Sequence, residues 1–226
     1  PVACIHLAAL REPYESEPYF YKTKMISYDY ELIYALGSML GVTSSEGVLK
    51  LIDEVEKLGL DAMSVGVVLA WATEARRHGL ISDVETSGLK LEWGDYETYL
   101  KAVQLLVEQP NSFYKAIAQG VDYASSLYGG AEFALAFGGN EMPGYHTGPA
   151  AHIGHLIGSR HSHLDGAGYS LDQKILASGT KPTSRAVVDE LVAEEEWRQI
   201  LSSLVICYFA RSIYTPEIVK KALRVV

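Results

Sequence analysis

The 226 residues suffice for one large domain or two small ones, and 48% hydrophobic with 21% charged residues is the composition of a globular protein with a real core. The net charge of −9, from 19 basic and 28 acidic residues, argues against binding a phosphate backbone, which needs clustered Lys and Arg. No apolar run reaches the ~18 residues of a membrane span; the longest, Val65 to Ala72, stops at Thr73-Glu74. His6, Arg11 and Glu12 break up the early apolar stretch, so nothing resembles a signal peptide and a cytoplasmic protein is expected. There is no initiator Met, so the native start is expected to lie upstream. Two cysteines, Cys4 and Cys207, are too few for a disulfide scaffold and by composition alone read first as buried apolar groups.

Residues 1–30 are rich in Tyr, carry Pro13 and Pro18, and are expected to be irregular. Helical character begins at Glu31. Thr43-Ser44-Ser45-Glu46 fits a capping box with Thr43 as the cap, and Val48, Leu51, Ile52, Val55 and Leu58 recur at helical spacing before Gly59. A second helix is expected over 64–78, ended by Gly79, and Leu89, Leu91 and Trp93 alternate like a short strand. Asp95 can cap a third helix that stops near Pro110, and residues 112–127 read as a fourth, closed by Gly129-Gly130. From Gly138 to Gly168 the chain is rich in Gly, His and Pro with little periodicity, the mark of a functional segment rather than a connector. Helices resume over roughly 184–213, with one break allowed, and a last one opens at Thr215-Pro216-Glu217. The expected fold class is mainly α, with a boundary near 130–140.

Five of seven histidines lie between 146 and 163: His146, His152, His155, His161 and His163. Imidazoles at this density can bind a metal, line a catalytic pocket or simply pack; no acidic ligand is evident from spacing, which disfavours the metal.

Several blocks together resemble the aldehyde:ferredoxin oxidoreductase family: Tyr30-Glu31 with Gly41, Glu56-Lys57-Leu58-Gly59-Leu60-Asp61, Leu89 to Asp95, Gly138-Gly139-Asn140-Glu141-Met142-Pro143, and Ser159 to Leu164. The resemblance runs in order from about residue 4 to 220. It implies helical domains 2 and 3 of an aldehyde ferredoxin oxidoreductase-like fold, divided here as 1–135 and 136–226. It also implies a tungsten (or molybdenum) bis-pterin cofactor, a [4Fe-4S] cluster, a small aldehyde substrate and ferredoxin as partner. No nucleic-acid or membrane partner is expected, and a homo-oligomer is allowed.

Residue by residue, the resemblance carries Glu31 over as the catalytic glutamate and His163, or alternatively His161, as the catalytic histidine. Cys4 and Cys207 correspond to cluster ligands, thiolates being soft anionic donors suited to iron. The chain is expected to begin just after the second cysteine of the family's cluster run, and by itself to be inactive. One pterin motif matches Glu56 through Asp61, with Glu56, Leu60 and Asp61 as contacts. The other matches Ser202 through Cys207, with Ser202 and Ile206 as contacts, but Ser202 replaces an acid and Val205 a glycine. Asp165 stands where the family has a basic residue, and Lys50 to Asp53 replaces its Glu-x-x-His dimer bridge, so that bridge is not expected. The competing readings are a relative acting on an activated acid, and a non-redox helical or histidine-lined metal-binding module.

Overall fold

The computed structural model describes residues 6–17, 19–166, 168–179 and 183–224. Its Tyr-rich start is an antiparallel hairpin, not the irregular segment the composition suggests. Strands β1 (His6–Pro13) and β2 (Tyr21–Tyr28) pair in register from His6↔Tyr28 to Pro13↔Tyr21. One face buries Leu10 and Ile26, while Glu12 on the same face bridges Lys22 and Lys24, and Lys24 reaches Asp53. Charged side chains occupy positions of that face where alternation calls for apolar ones, their stems covering apolar surface. The period-two signal is therefore hidden in the sequence.

Contacts divide the described chain between Gly144 and Tyr145 into two units. The first is helical beyond the hairpin. Its elements are α1 (Tyr30–Ile33), a π-helical turn (Tyr34–Ser38), α2 (Ser45–Lys57), α3 (Ala62–Arg77), α4 (Tyr96–Glu108), α5 (Ser112–Ile117) and α6 (Val121–Tyr128). Two residue pairs, β3 (Ala136–Phe137) and β4 (Asn140–Glu141), form a small antiparallel ladder. Helix α3 is buried on nearly every side, from Val65 through Trp71 to Ala75, which explains its long apolar run. Leu51, Ile52 and Val55 of α2 and Tyr99, Ala102 and Val103 of α4 complete this core. Gly66 lets α3 approach the π-turn: a Cβ there would stand 2.4 Å from the Ala35 carbonyl oxygen.

Local chemistry explains where the elements depart from the sequence reading. Ser44, not Thr43, caps α2, accepting from the Gly47 amide at 3.2 Å. Residues 112–127 form two helices, because Gly120 at φ 96 turns the chain between α5 and α6. Leu89 to Trp93 forms no strand; Thr86 caps this stretch by donating to the Leu89 carbonyl at 2.6 Å.

The second unit holds α7 (Pro149–Ile157), α8 (Gly168–Ser178), α9 (Ser184–Ser203) and α10 (Pro216–Leu223), with a 3-10 turn at Tyr208–Ala210. The segment from Gly138 to Gly168 thus contains a full helix, α7. The region 184–213 breaks at Leu204. Helices α7 and α8 approach closely because Gly168 has no side chain; a Cβ would stand 2.1 Å from the Ala150 oxygen. Asp172 of α8 accepts from the Ala150 and Ala151 amides at 3.0 and 2.8 Å, capping α7 from a distance since Gly148 cannot. Leu171 and Leu191 pack with Ala150 in a small core. The fold is mainly α, and among the described residues no single helix is long and apolar enough to cross a membrane.

Candidate functional site

In the first unit, Glu31 sits in the first turn of α1, half-buried, where unbonded amides favour an anion. Asp29 caps that turn through the Leu32 amide at 3.3 Å. Burial pushes the Asp29 carboxyl up; the Leu32 amide opposes this, and the negative charge of Glu31 adds to it. A second carboxyl beside Glu31 was not singled out in the sequence, although Asp two residues before it at a helix start is a recognisable cap. Tyr30 donates its hydroxyl to the Gly144 carbonyl at 3.1 Å, and the Tyr34 ring lies against Gly144, where a Cβ would come within 2.5 Å. Burial raises the Tyr34 phenol to about 12. Helix α1 runs directly into the π-turn, a geometry frequent at functional sites.

The corner from Glu56 to Asp61 has a complete local explanation. Gly59 at φ 68 ends α2, with its amide on the Glu56 oxygen and the Leu60 amide on the Val55 oxygen, both at 3.1 Å. Asp61 then caps α3 by accepting from the Ser64 amide at 2.7 Å. Gly-Leu-Asp is a stop, a hydrophobic contact and a start. Glu56 is exposed. The same corner opens onto a cleft of about 570 Å³ lined by Leu60, Asp61, Ser64, Gly120, Gly139 and Glu141. Glu141 anchors its far wall, accepting from the Ser64 hydroxyl at 2.9 Å and the Val121 amide at 3.0 Å. The Gly-Gly-Asn-Glu block thus ties the starts of α3 and α6 together.

In the second unit, the loop 158–166 carries His161 and His163. His161 adopts φ 53, and its Nδ1 donates to the His155 carbonyl at 3.0 Å, which fixes the tautomer with the lone pair on Nε2. His163 stacks on Tyr145 with centroids 4.5 Å apart, and Tyr145 in turn lies 4.7 Å from the Tyr169 ring. Burial, then His155 and Arg198, push the His163 imidazole down to about 4, so it is neutral near pH 7. Asp165, in the position expected to be basic, is fully buried and accepts from the Arg160 amide and Nε at 2.6 Å and from Gln199 at 3.1 Å. Burial raises its carboxyl, but these bonds outweigh it and hold the group below the usual range. Helix α7 separates the other two central histidines: His155 is buried and bonds the Ala151 oxygen at 2.7 Å, whereas His152 is exposed. Among the described residues no three His, Cys, Asp or Glu side chains converge to hold a metal.

The segment Ser202 to Cys207 follows the end of α9. Ser202 turns its hydroxyl to the Tyr208 hydroxyl, and the Ile206 amide bonds the Leu201 oxygen at 3.0 Å. Val205 keeps the left-handed backbone that a glycine would adopt freely, at φ 57, with its side chain 93% exposed. Cys207 is exposed. Cys4 lies outside the described residues.

The family model described as aldehyde ferredoxin oxidoreductase, domains 2 and 3, matches residues 1–226, and the chain belongs to that family. It is 27% identical over 181 residues to a tungsten-containing aldehyde ferredoxin oxidoreductase of Thermococcus kodakarensis, covering 78% of this chain and 29% of the relative. The corresponding Pyrococcus furiosus protein is 25% identical over 189 residues, with 80% and 31% covered. An aliphatic sulfonate oxidoreductase, WOR-like subunit, of P. furiosus is 32% identical over 128 residues, covering 56% of this chain and 19% of the relative. The chain therefore spans less than a third of the length of each of these relatives.

Proposed function

We propose that this chain is the domain 2 and 3 portion of a tungsten- or molybdenum-pterin oxidoreductase that converts an aldehyde and water to a carboxylic acid, releasing two electrons and two protons. The electrons would leave through a [4Fe-4S] cluster to ferredoxin. The family match along all 226 residues carries this reading.

The residues present fit the cofactor unevenly. The corner at Leu60 and Asp61 offers a carboxylate beside an open cleft, suited to the hydrogen-bonding edge of a pterin, with Glu56 as a further acceptor. Ser202 is neutral and its hydroxyl is already engaged, so the second motif offers backbone at Ile206 rather than an acid. The exposed thiol of Cys207 can serve as a cluster ligand, with Cys4 proposed alongside it. When bound, the metal and cluster supply a two-electron acceptor and an onward path.

Glu31 would accept the proton of the attacking water at its carboxylate, with Asp29 beside it raising the cost of two charges there. His163, being neutral, would present an N–H to the substrate oxygen as charge builds on it, as a neutral imidazole does when its cationic form is disfavoured. His161 remains the alternative, with Nε2 as an acceptor.

Metal analysis and a visible spectrum of the intact protein test this reading. Tungsten or molybdenum with iron and broad cluster absorption is expected; a colourless protein holding only zinc or nickel overturns it. The relative named for aliphatic sulfonates, at 32% identity, favours a second reading in which the substrate is not an aldehyde. Turnover with a sulfonate and none with aldehydes would select it.

A further inference from the structure

The second unit contains a buried cation that the reading above does not use. Arg198, on α9, is only 2% exposed. Its Nε donates to Glu194 at 3.0 Å and its Nη1 to the carbonyl oxygen of His163 at 3.0 Å. The guanidinium lies over the Tyr169 ring at 5.8 Å and the Tyr208 ring at 5.2 Å. Among the described residues its Nη2 is buried without a hydrogen-bond partner of good geometry. A guanidinium held this way costs several kcal/mol of lost hydration, of order the penalty for any buried ion, which the Tyr169 hydroxyl and the Glu194 carboxylate only partly offset. Adjacent α9 residues hold the same loop: Glu195 accepts from the Ser159 amide at 2.9 Å, and Gln199 reaches both Ser159 and Asp165. Three polar residues within little more than one turn of α9 are thus spent on residues 159–165.

We propose that Arg198 is the positioning residue of His163, clamping its backbone from α9 and serving as a fixed internal positive charge beside the imidazole. This rests on the reading of His163 as the catalytic histidine. Among the described residues, the groups facing His163 are His155 from α7, Tyr145 stacked on its ring, Arg198 from α9 and Asp165 from its own loop; Tyr169 of α8 lies behind Tyr145, and Glu194 behind Arg198. Of these only Arg198 is a permanent cation, and it disfavours a second positive charge on the imidazole. Asp165 acts in the opposite direction but is tied to Arg160. The consequence is an imidazole that donates as a neutral group and keeps one orientation through its carbonyl and its stack on Tyr145.

The test reads the titration of His163 in the intact protein from exchange of its imidazole C2 hydrogen, followed by mass spectrometry with fragments that separate it from His161. Arg198→Met is expected to raise the His163 midpoint by about one pH unit, the scale of one nearby charge. Arg198→Lys, which keeps the charge and loses the fork, is expected to hold the midpoint low while amide exchange across 159–165 accelerates. An unchanged midpoint in Arg198→Met, or an equal rise in both variants, overturns the proposal. If Arg198→Met does not fold, unchanged amide exchange in Arg198→Lys does so. Turnover of His163→Asn is a separate arm: full activity there removes the catalytic reading and leaves the titration result standing.

Discussion

Asp165 and Arg160 form a closed pair within one loop: the buried carboxylate accepts both the main-chain N–H and the Nε–H of the same arginine, each at 2.6 Å. The loop bearing both candidate histidines is folded around this carboxylate. Asp165→Asn should lower the stability of the second unit by about 2 kcal/mol, a figure kept small because the Arg160 side chain is half exposed. Amide exchange over 158–166 measures it. The carboxyl is held below its ordinary 3.8, so its contribution is full above that value and drains away as pH falls through the lower native value. Loosening of this loop above pH 5 would contradict the pairing.

Val205 holds a left-handed backbone at φ 57 with an exposed β-branched side chain. Val205→Gly should stabilise by about 1 kcal/mol, the left-handed penalty of ~1–2 kcal/mol less the entropy a glycine adds to the unfolded chain. Val205→Ala keeps the Cβ and should gain little. Thermal midpoints of the two variants decide between strain and some other effect.

At Asp61, two substitutions separate capping from cofactor contact. Asp61→Asn preserves a good cap, so stability should hold within a few tenths of a kcal/mol, while Asp61→Ala should cost about 1 kcal/mol. Pterin content should fall in both if the carboxylate contacts the cofactor. Full cofactor content in Asp61→Asn would reduce this residue to a helix cap.

Glu31→Gln should leave metal and iron content intact and lower turnover by at least about 100-fold, the lower range for loss of a general base. Unchanged turnover would remove Glu31 from the proposed chemistry.

The pH dependence of turnover offers a check on His163. Its imidazole titrates at about 4 rather than 6.5, so protonation should begin to matter only well below neutrality. A rate that falls with a midpoint near 6.5, and whose fall disappears in His163→Asn, would contradict a buried neutral imidazole.

Much of the first unit was legible because its signals are local. The periodicity of Leu51, Ile52 and Val55, the stop at Gly59 and the cap at Asp95 each act within one or two turns of helix. The hairpin was not legible: Glu12, Lys22 and Lys24 occupy its packed face, and their suitability depends on Asp53, about thirty residues away from β2. The split at Gly120 turned on one positive φ within a run that otherwise reads as continuous helix.

The sequence by itself determined the family, through the order of short blocks, and the helical class, through periodicity and caps. Tertiary structure alone decided the electrostatics of the candidate site. That Asp165 is buried against Arg160, that His163 is neutral, and that Arg198 stands behind it all depend on α9 returning to the loop more than thirty residues after it. Charge states follow from burial and from which groups meet, and neither is written in the spacing of residues along the chain.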